Sequence, residues 1–306
     1  MTLIDASLFS ALIFFSLYGL AAAVECGIAL SLLIDKANKS AALFTPLWEL
    51  TNVFLVFGFT LLGMLFNNAL PVLSRSLLST LGIALIALVA RASVVLTLFY
   101  LRPKSLPAVV LWLFGLLNFS VPVSFMAAGI YLLTGHLAWQ TAVGWILLAS
   151  AFLGLAAIGL LFVNRRAAKL QLPSQLILLV WLLFIGSILP LSVTHSDLHL
   201  THWPFLALNF ISIAGLFLIY LRMKRLIKLE LWKLAAAIGL LVPFLLALAN
   251  RPYLINSQLT LARAFGAQSF GAVIVAGSLI MLPLILLGLW LFMKLFNNLG
   301  NGTKEG

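Results

Sequence analysis

The sequence predicts an all-α polytopic membrane protein with about nine transmembrane helices. Three observations carry this. Of 306 residues, 64% are hydrophobic and 8% charged, whereas a soluble globular domain carries about 25% charged residues. Apolar runs of roughly 20 residues recur from end to end, each long enough to cross a hydrocarbon layer of about 30 Å. The runs are continuous and lack the alternating segments of about ten residues that a lipid-facing β-barrel needs. Helices, which satisfy their own backbone groups, are then the expected form.

Taken in order, the apolar runs and their polar breaks place helices near 8–33, 47–68, 77–101, 108–133, 140–163, 174–194, 204–222, 233–250 and 267–294. Pro46, Pro107, Pro173 and Pro204 sit at or just before four of these starts, where the first turn has spare donors. Met1-Thr2-Leu3-Ile4-Asp5 has no basic region and no cleavage site ahead of a soluble domain, so the first run reads as a retained helix and not a signal peptide. The longest breaks, 251–266 and the basic, amphipathic 222–233, leave no room for a large soluble domain. The second reads as a charged loop, with binding to anionic headgroups as the alternative. Cys26 is the single cysteine, which excludes an internal disulfide framework.

The basic residues give the bundle a direction. With loops numbered alternately, one set holds Lys36, Lys39, Arg102, Lys104, Arg165, Arg166, Lys169, Arg222, Lys224, Arg225, Lys228, Lys233, Lys294 and Lys304, which is 14 residues; the other holds only Arg75, Arg251 and Arg263, which is 3. The richer set is expected in the cytoplasm, with the N-terminus outside and the C-terminus inside. The same bias accounts for the formal charge of +11, so nucleic acid is not an expected partner.

Three ionisable residues fall within proposed spans: Glu25, Glu49 and Arg91. A charge at a helix centre costs about 2.5–3.5 kcal/mol on insertion scales. At about 1.5 Å per residue, Glu25 lies roughly 12 Å and Arg91 about 15 Å from the inner ends of their helices. Glu49 lies in the first turn of the second helix, on the same side. They read either as a polar track for protons or a charged ligand, or as a structural Arg91–Glu25 pair with Glu49 a near-interface charge favoured by its helix dipole. Gly19, Ala23 and Gly27 form a small-residue stripe of the kind that lets helices approach closely. Glu25 is about 200° round the helix from Ala23, so the first helix is expected to be contacted on two sides.

His195, His199 and His202 have spacings that could converge on a metal if helical; an aromatic, histidine-rich interfacial loop explains them equally well. His136 is alone in a short loop. There is no Walker loop, dinucleotide fingerprint, nucleophile elbow or paired-cysteine motif. No histidine lies well inside a span to ligate a haem.

Thr45-Pro46-Leu47-Trp48-Glu49-Leu50-Thr51-Asn52-Val53-Phe54-Leu55 resembles the segment opening the second helix of subunit II of cytochrome bd-type quinol oxidases. The likeness continues through a hairpin to Ala90-Arg91, where that family has a membrane-embedded arginine. It extends to Val24-Glu25-Cys26-Gly27 and, more loosely, to the final helix ending Trp290-Leu291-Phe292-Met293-Lys294-Leu295-Phe296. It covers residues 15–101 and the last helix; the middle is matched in hydropathy alone. Thr51 stands where the family has Asn, Asn52 where it has Glu or Gln, and Ala22 where it has a second acidic residue. The resemblance implies two four-helix bundles, about 8–133 and 140–250, plus a peripheral helix at 267–294. It implies a chain that binds no haem itself and packs against subunit I, which carries haems b and d, oxidises quinol and reduces dioxygen. It leaves room for a small third subunit and for a bound lipid or quinone. Glu49 would match the acidic entrance of a proton route from the cytoplasm of a prokaryote, and Glu25 and Arg91, with Asn52, the polar residues further in. Trp48 and the Gly19–Ala23–Gly27 stripe are expected to be structural. Two readings compete: a secondary transporter or channel using the same charges, for which Pro122 and Pro243 would mark broken helices, and an inert assembly subunit of the oxidase family.

Overall fold

The computed structural model describes residues 2–34, 44–100, 108–163, 171–194, 202–224, 226 and 228–302. Among these the chain is a series of nine long helices: α1 (Leu3–Ile34), α2 (Phe44–Leu65), α3 (Leu70–Val95), α4 (Ala108–Thr134), α5 (Ala142–Val163), α6 (Gln171–Thr194), α7 (His202–Met223), α8 (Leu231–Ala249) and, after a short α9 (Leu261–Ala264), α10 (Gly271–Gly302). Seven are long and apolar enough to cross a membrane within the described residues, and α6 and α10 contribute the shorter apolar stretches Ser174–Gly186 and Gly271–Leu287. The protein is an all-α, multi-pass membrane protein. Pro46, Pro173 and Pro204 fall in the first turns of α2, α6 and α7, where a missing N–H breaks no helical hydrogen bond.

Helix α1 holds the assembly together. It packs against α2 and α4 on one side and against α5 and α8 on the other. Helix α3 lies on α4; α5, α6, α7 and α8 pack in sequence, and α8 returns to α5. Helix α10 runs along α1 and α2, with Val273, Ile280 and Leu284 turned outward. The close approach of α1 to α5 has a specific cause: a Cβ on Gly27 would sit 2.2 Å from the Gly159 carbonyl carbon, and one on Gly159 would sit 2.0 Å from the Ala23 carbonyl oxygen. Of the small-residue stripe, Ala23 and Gly27 therefore make the crossing. Gly19 does not, since a Cβ there meets nothing within 4 Å.

The start of α1 is closed by reciprocal bonds: the Thr2 amide donates to Asp5 Oδ2 and the Asp5 amide to Thr2 Oγ1, which satisfies donors the first turn cannot place internally. The segment read as an outer loop at 251–266 is a folded cap over this end. Strands β1 (Tyr253–Ile255) and β2 (Leu259–Thr260) pair antiparallel and lead into α9, and Leu254, Ile255, Leu261, Ala264 and Phe265 are buried. Asn250 Nδ2 donates to the Leu132 carbonyl, the Asn256 amide donates to the same oxygen, and Gln258 Nε2 donates to the Gly135 carbonyl. Gly135 itself ends α4 at φ +73°, a conformation glycine adopts without steric cost. The Gly266 amide donates to the Leu65 carbonyl, and a Cβ on Gly266 would sit 1.6 Å from Asn67 Oδ1. Arg251 closes on Asp5 at 2.5 Å. The cap thus ties the start of α1, the α2–α3 turn and the α4–α5 turn together.

Candidate functional site

A buried ion pair lies between α1, α2 and α3. Glu25 and Arg91 each have side chains 1% exposed and form a salt bridge through Arg91 Nη2 and Glu25 Oε2. The other carboxylate oxygen, Oε1, is 2.5 Å from Thr51 Oγ1 on α2. Arg91 belongs to the single stripe Leu73, Leu77, Thr80, Ala84, Ala87, Arg91 and Val95 that α3 buries. A π-helical turn, Leu96–Tyr100, follows one turn later. Two desolvated charges are tolerated only if each is paired and further hydrogen-bonded, and Thr51 supplies that further bond to the carboxylate.

Thr51 matters chemically because its hydroxyl has one proton and two acceptors in reach. Oγ1 is also 2.7 Å from the Leu47 carbonyl. With Glu25 ionised, the hydroxyl donates to Oε1. With Glu25 protonated, the carboxyl can donate to Oγ1 while the hydroxyl donates to Leu47. The same atoms accommodate both protonation states without moving a helix, as a proton-carrying carboxyl requires.

The sequence treats Thr51 as a departure that removes a polar neighbour; the fold instead makes it the direct partner of Glu25. The position of Thr51 two residues past Glu49, on a different face of α2, was the available signal. Glu49 was expected in the first turn, but α2 starts at Phe44, so Glu49 is exposed on its second turn. Asn52 is half-buried, and Trp48 packs with Leu47 against the cluster of Ile28, Phe44 and Phe114. Ala22 is buried on the Glu25 side of α1 and contributes no charge.

Two residues on α1 near Glu25 in sequence were not among the expected site residues. Cys26 Sγ donates to the Asn118 carbonyl at 3.2 Å. That carbonyl lies four residues before Pro122, whose missing N–H leaves it without its helical donor. Helix α4 runs unbroken from Ala108 to Thr134 through Pro122, and α8 runs unbroken through Pro243. Both prolines lie inside continuous helices. Tyr18, two turns before Glu25 on the same face of α1, is buried and stands edge-on to Phe125 at 5.8 Å.

His195 and His199 lie outside the described residues, as does all but the backbone of His202. Among the described residues no group of three His, Cys, Asp or Glu side chains is placed to hold a metal. Comparison with protein-family models and with curated proteins finds no match.

Proposed function

We propose that this chain is the subunit II-type component of a cytochrome bd-type quinol oxidase. It would sit in a prokaryotic cytoplasmic membrane with its N-terminus outside, pack against a haem-binding subunit I, and help deliver protons from the cytoplasm. The observation that carries this reading is the buried Glu25–Arg91 pair with Thr51 on the second carboxylate oxygen. Glu25 and Arg91 are the positions at which the resemblance to subunit II expects inner polar residues of a proton route; Thr51 is an addition to that set.

The chemistry is consistent with that role. The partner's haems would reduce dioxygen, which consumes protons in a dry interior. A buried carboxyl held by a guanidinium and a hydroxyl can take up a proton and release it with both of its oxygens still paired. Glu49, exposed on the second turn of α2, would meet water or the partner subunit and act as the entrance. Protons drawn from the inside, with quinol protons released outside, would build a gradient without a pump.

Gentle purification from the native membrane tests the class: a visible spectrum with haem d and haem b bands is expected, contributed by the co-purifying partner. Its absence refutes the oxidase reading and leaves the transporter. In the intact complex, Glu25→Gln is expected to lower oxygen consumption by about a hundredfold with the haem bands retained. Unchanged consumption refutes the proton-route assignment. Glu49→Ala tests the entrance in the same way.

A further inference from the structure

The turn between α7 and α8 carries charge that the buried site does not use. Residues 222–233 hold five basic side chains, Arg222, Lys224, Arg225, Lys228 and Lys233, and a single acidic one, Glu230; no acid lies between Asp197 and Glu230. Glu230 is engaged within the turn: its Oε2 lies 3.1 Å from Lys233 Nζ and accepts from Trp232 Nε1 at 2.9 Å. Trp232 stands edge-on to Phe162 at 5.7 Å, so this acid is held on the α8 side. Lys224 and Lys228 are exposed on the α7 side. Helix α8 ends in the cap at Asn250, so the basic turn lies at the opposite end of the bundle.

The outward face of α7 sets the depth of these lysines. Phe210, Ile213, Phe217 and Tyr220 are exposed at spacings of three and four, the pattern of one helical face. Trp203 and Tyr220, both exposed, are about 26 Å apart along the axis, close to the hydrocarbon thickness of about 30 Å. Amphipathic rings of this kind sit at headgroup level. Lys224 continues the face one turn beyond Tyr220, with Nζ 5.9 Å from its ring centroid. The Leu226 amide then donates to the Leu221 carbonyl at 3.0 Å and closes the end of α7, yet Leu226 is 69% and Met223 73% exposed. Exposed apolar side chains among lysines fit the boundary between acyl chains and headgroups. We propose that the α7–α8 turn binds the headgroup of an anionic phospholipid, with Lys224 and Lys228 on its phosphate and its acyl chains against Phe217, Tyr220, Met223 and Leu226. Lipid binding here requires neither an oxidase partner nor a particular orientation of the bundle, so it stands or falls apart from the reading above.

Photo-crosslinking of the full chain in phosphatidylcholine nanodiscs, with any subunit that co-purifies, tests it. A trace of diazirine-bearing phosphatidylglycerol is compared with the same trace of diazirine-bearing phosphatidylcholine, and the adducts are mapped by mass spectrometry. A basic residue near an anionic headgroup is worth about fivefold in binding, so two lysines are expected to give phosphatidylglycerol an excess of about 25-fold in labelling residues 217–233. Lys224→Gln and Lys228→Gln are each expected to cut that excess by about fivefold; both side chains are exposed, so the fold is kept. Arg263→Gln, which removes an exposed charge from the capped end, is expected to leave the excess unchanged. Equal labelling by the two lipids, no labelling of the turn, or an excess that survives the double variant or falls as much in Arg263→Gln overturns the proposal.

Discussion

Replacing Arg91 with methionine tests the central pair most directly. Both charged side chains are 1% exposed, so removing the guanidinium strands the Glu25 carboxylate in an interior where water cannot reach it. Breaking a buried pair by removing one partner costs about 3–5 kcal/mol. At about 2–4 °C per kcal/mol for a chain of this order of size, the melting temperature in nanodiscs is expected to fall by about 6–20 °C. Glu25→Leu strands the guanidinium and is expected to fall by a similar amount. The double variant removes both charges together; Thr51 keeps its bond to the Leu47 carbonyl, so nothing ionic is left unpaired. The double is therefore expected to be more stable than either single, because replacing a buried pair with apolar residues is often neutral. A thermal double-mutant cycle by circular dichroism measures this. Single variants that melt within a degree or two of the parent, or a double whose losses simply add, would refute a desolvated Glu25–Arg91 pair.

Gly159→Val should separate α1 from α5 and cost about 1–3 kcal/mol or more, since its Cβ would lie 2.0 Å from the Ala23 oxygen; Gly19→Ala, with nothing within 4 Å, should be neutral or stabilise by up to about 1 kcal/mol, and thermal melts of the two give the contrast. Gly266→Ala should loosen the cap by clashing with Asn67, measured as faster hydrogen exchange at the Asn256 and Leu261 amides. Asp5→Asn should cost only about 0.2–1 kcal/mol, and less at high salt, because Arg251 is 44% exposed. Thr51→Val should impair oxygen consumption by the intact complex, whereas Thr51→Ser, which keeps the hydroxyl, should restore it; equal rates for the two would remove Thr51 from the proton route.

The helices were legible because lipid imposes a simple rule: apolar runs long enough to span must be helical. Boundaries therefore fell within a few residues of the structure, as at α4 and α5, where Pro107 and the polar turn at 134–141 mark the ends. The start of α3 was not legible in this way. Its first two turns carry Pro71, Ser74 and Arg75, a polar composition that hides a helix whose true beginning is set by the turn Asn67–Ala69. The cap at 250–267 was read as a loop because its strands are only two and three residues long. Its hydrogen bonds run to Leu65, Leu132 and Gly135, partners far away in the chain that no local pattern announces.

At the candidate site, Glu25 and Arg91 declared themselves by charge alone: an ionisable residue in an apolar run is conspicuous because membranes make it expensive. Their depth followed from the helix rise, and the two-sided packing of α1 from the angle between Ala23 and Glu25. The number of helices and the presence of buried charge were properties of the sequence by itself. Tertiary structure alone decided which groups those charges meet. Thr51 answers Glu25 although it looked like a lost polar position, Cys26 takes the carbonyl freed by Pro122, Gly159 receives Gly27, and Glu49 stays at the surface while Tyr18 is drawn inward. The reason is geometric. Periodicity fixes the face on which a residue lies, but only the packing of one helix against another determines what that face touches.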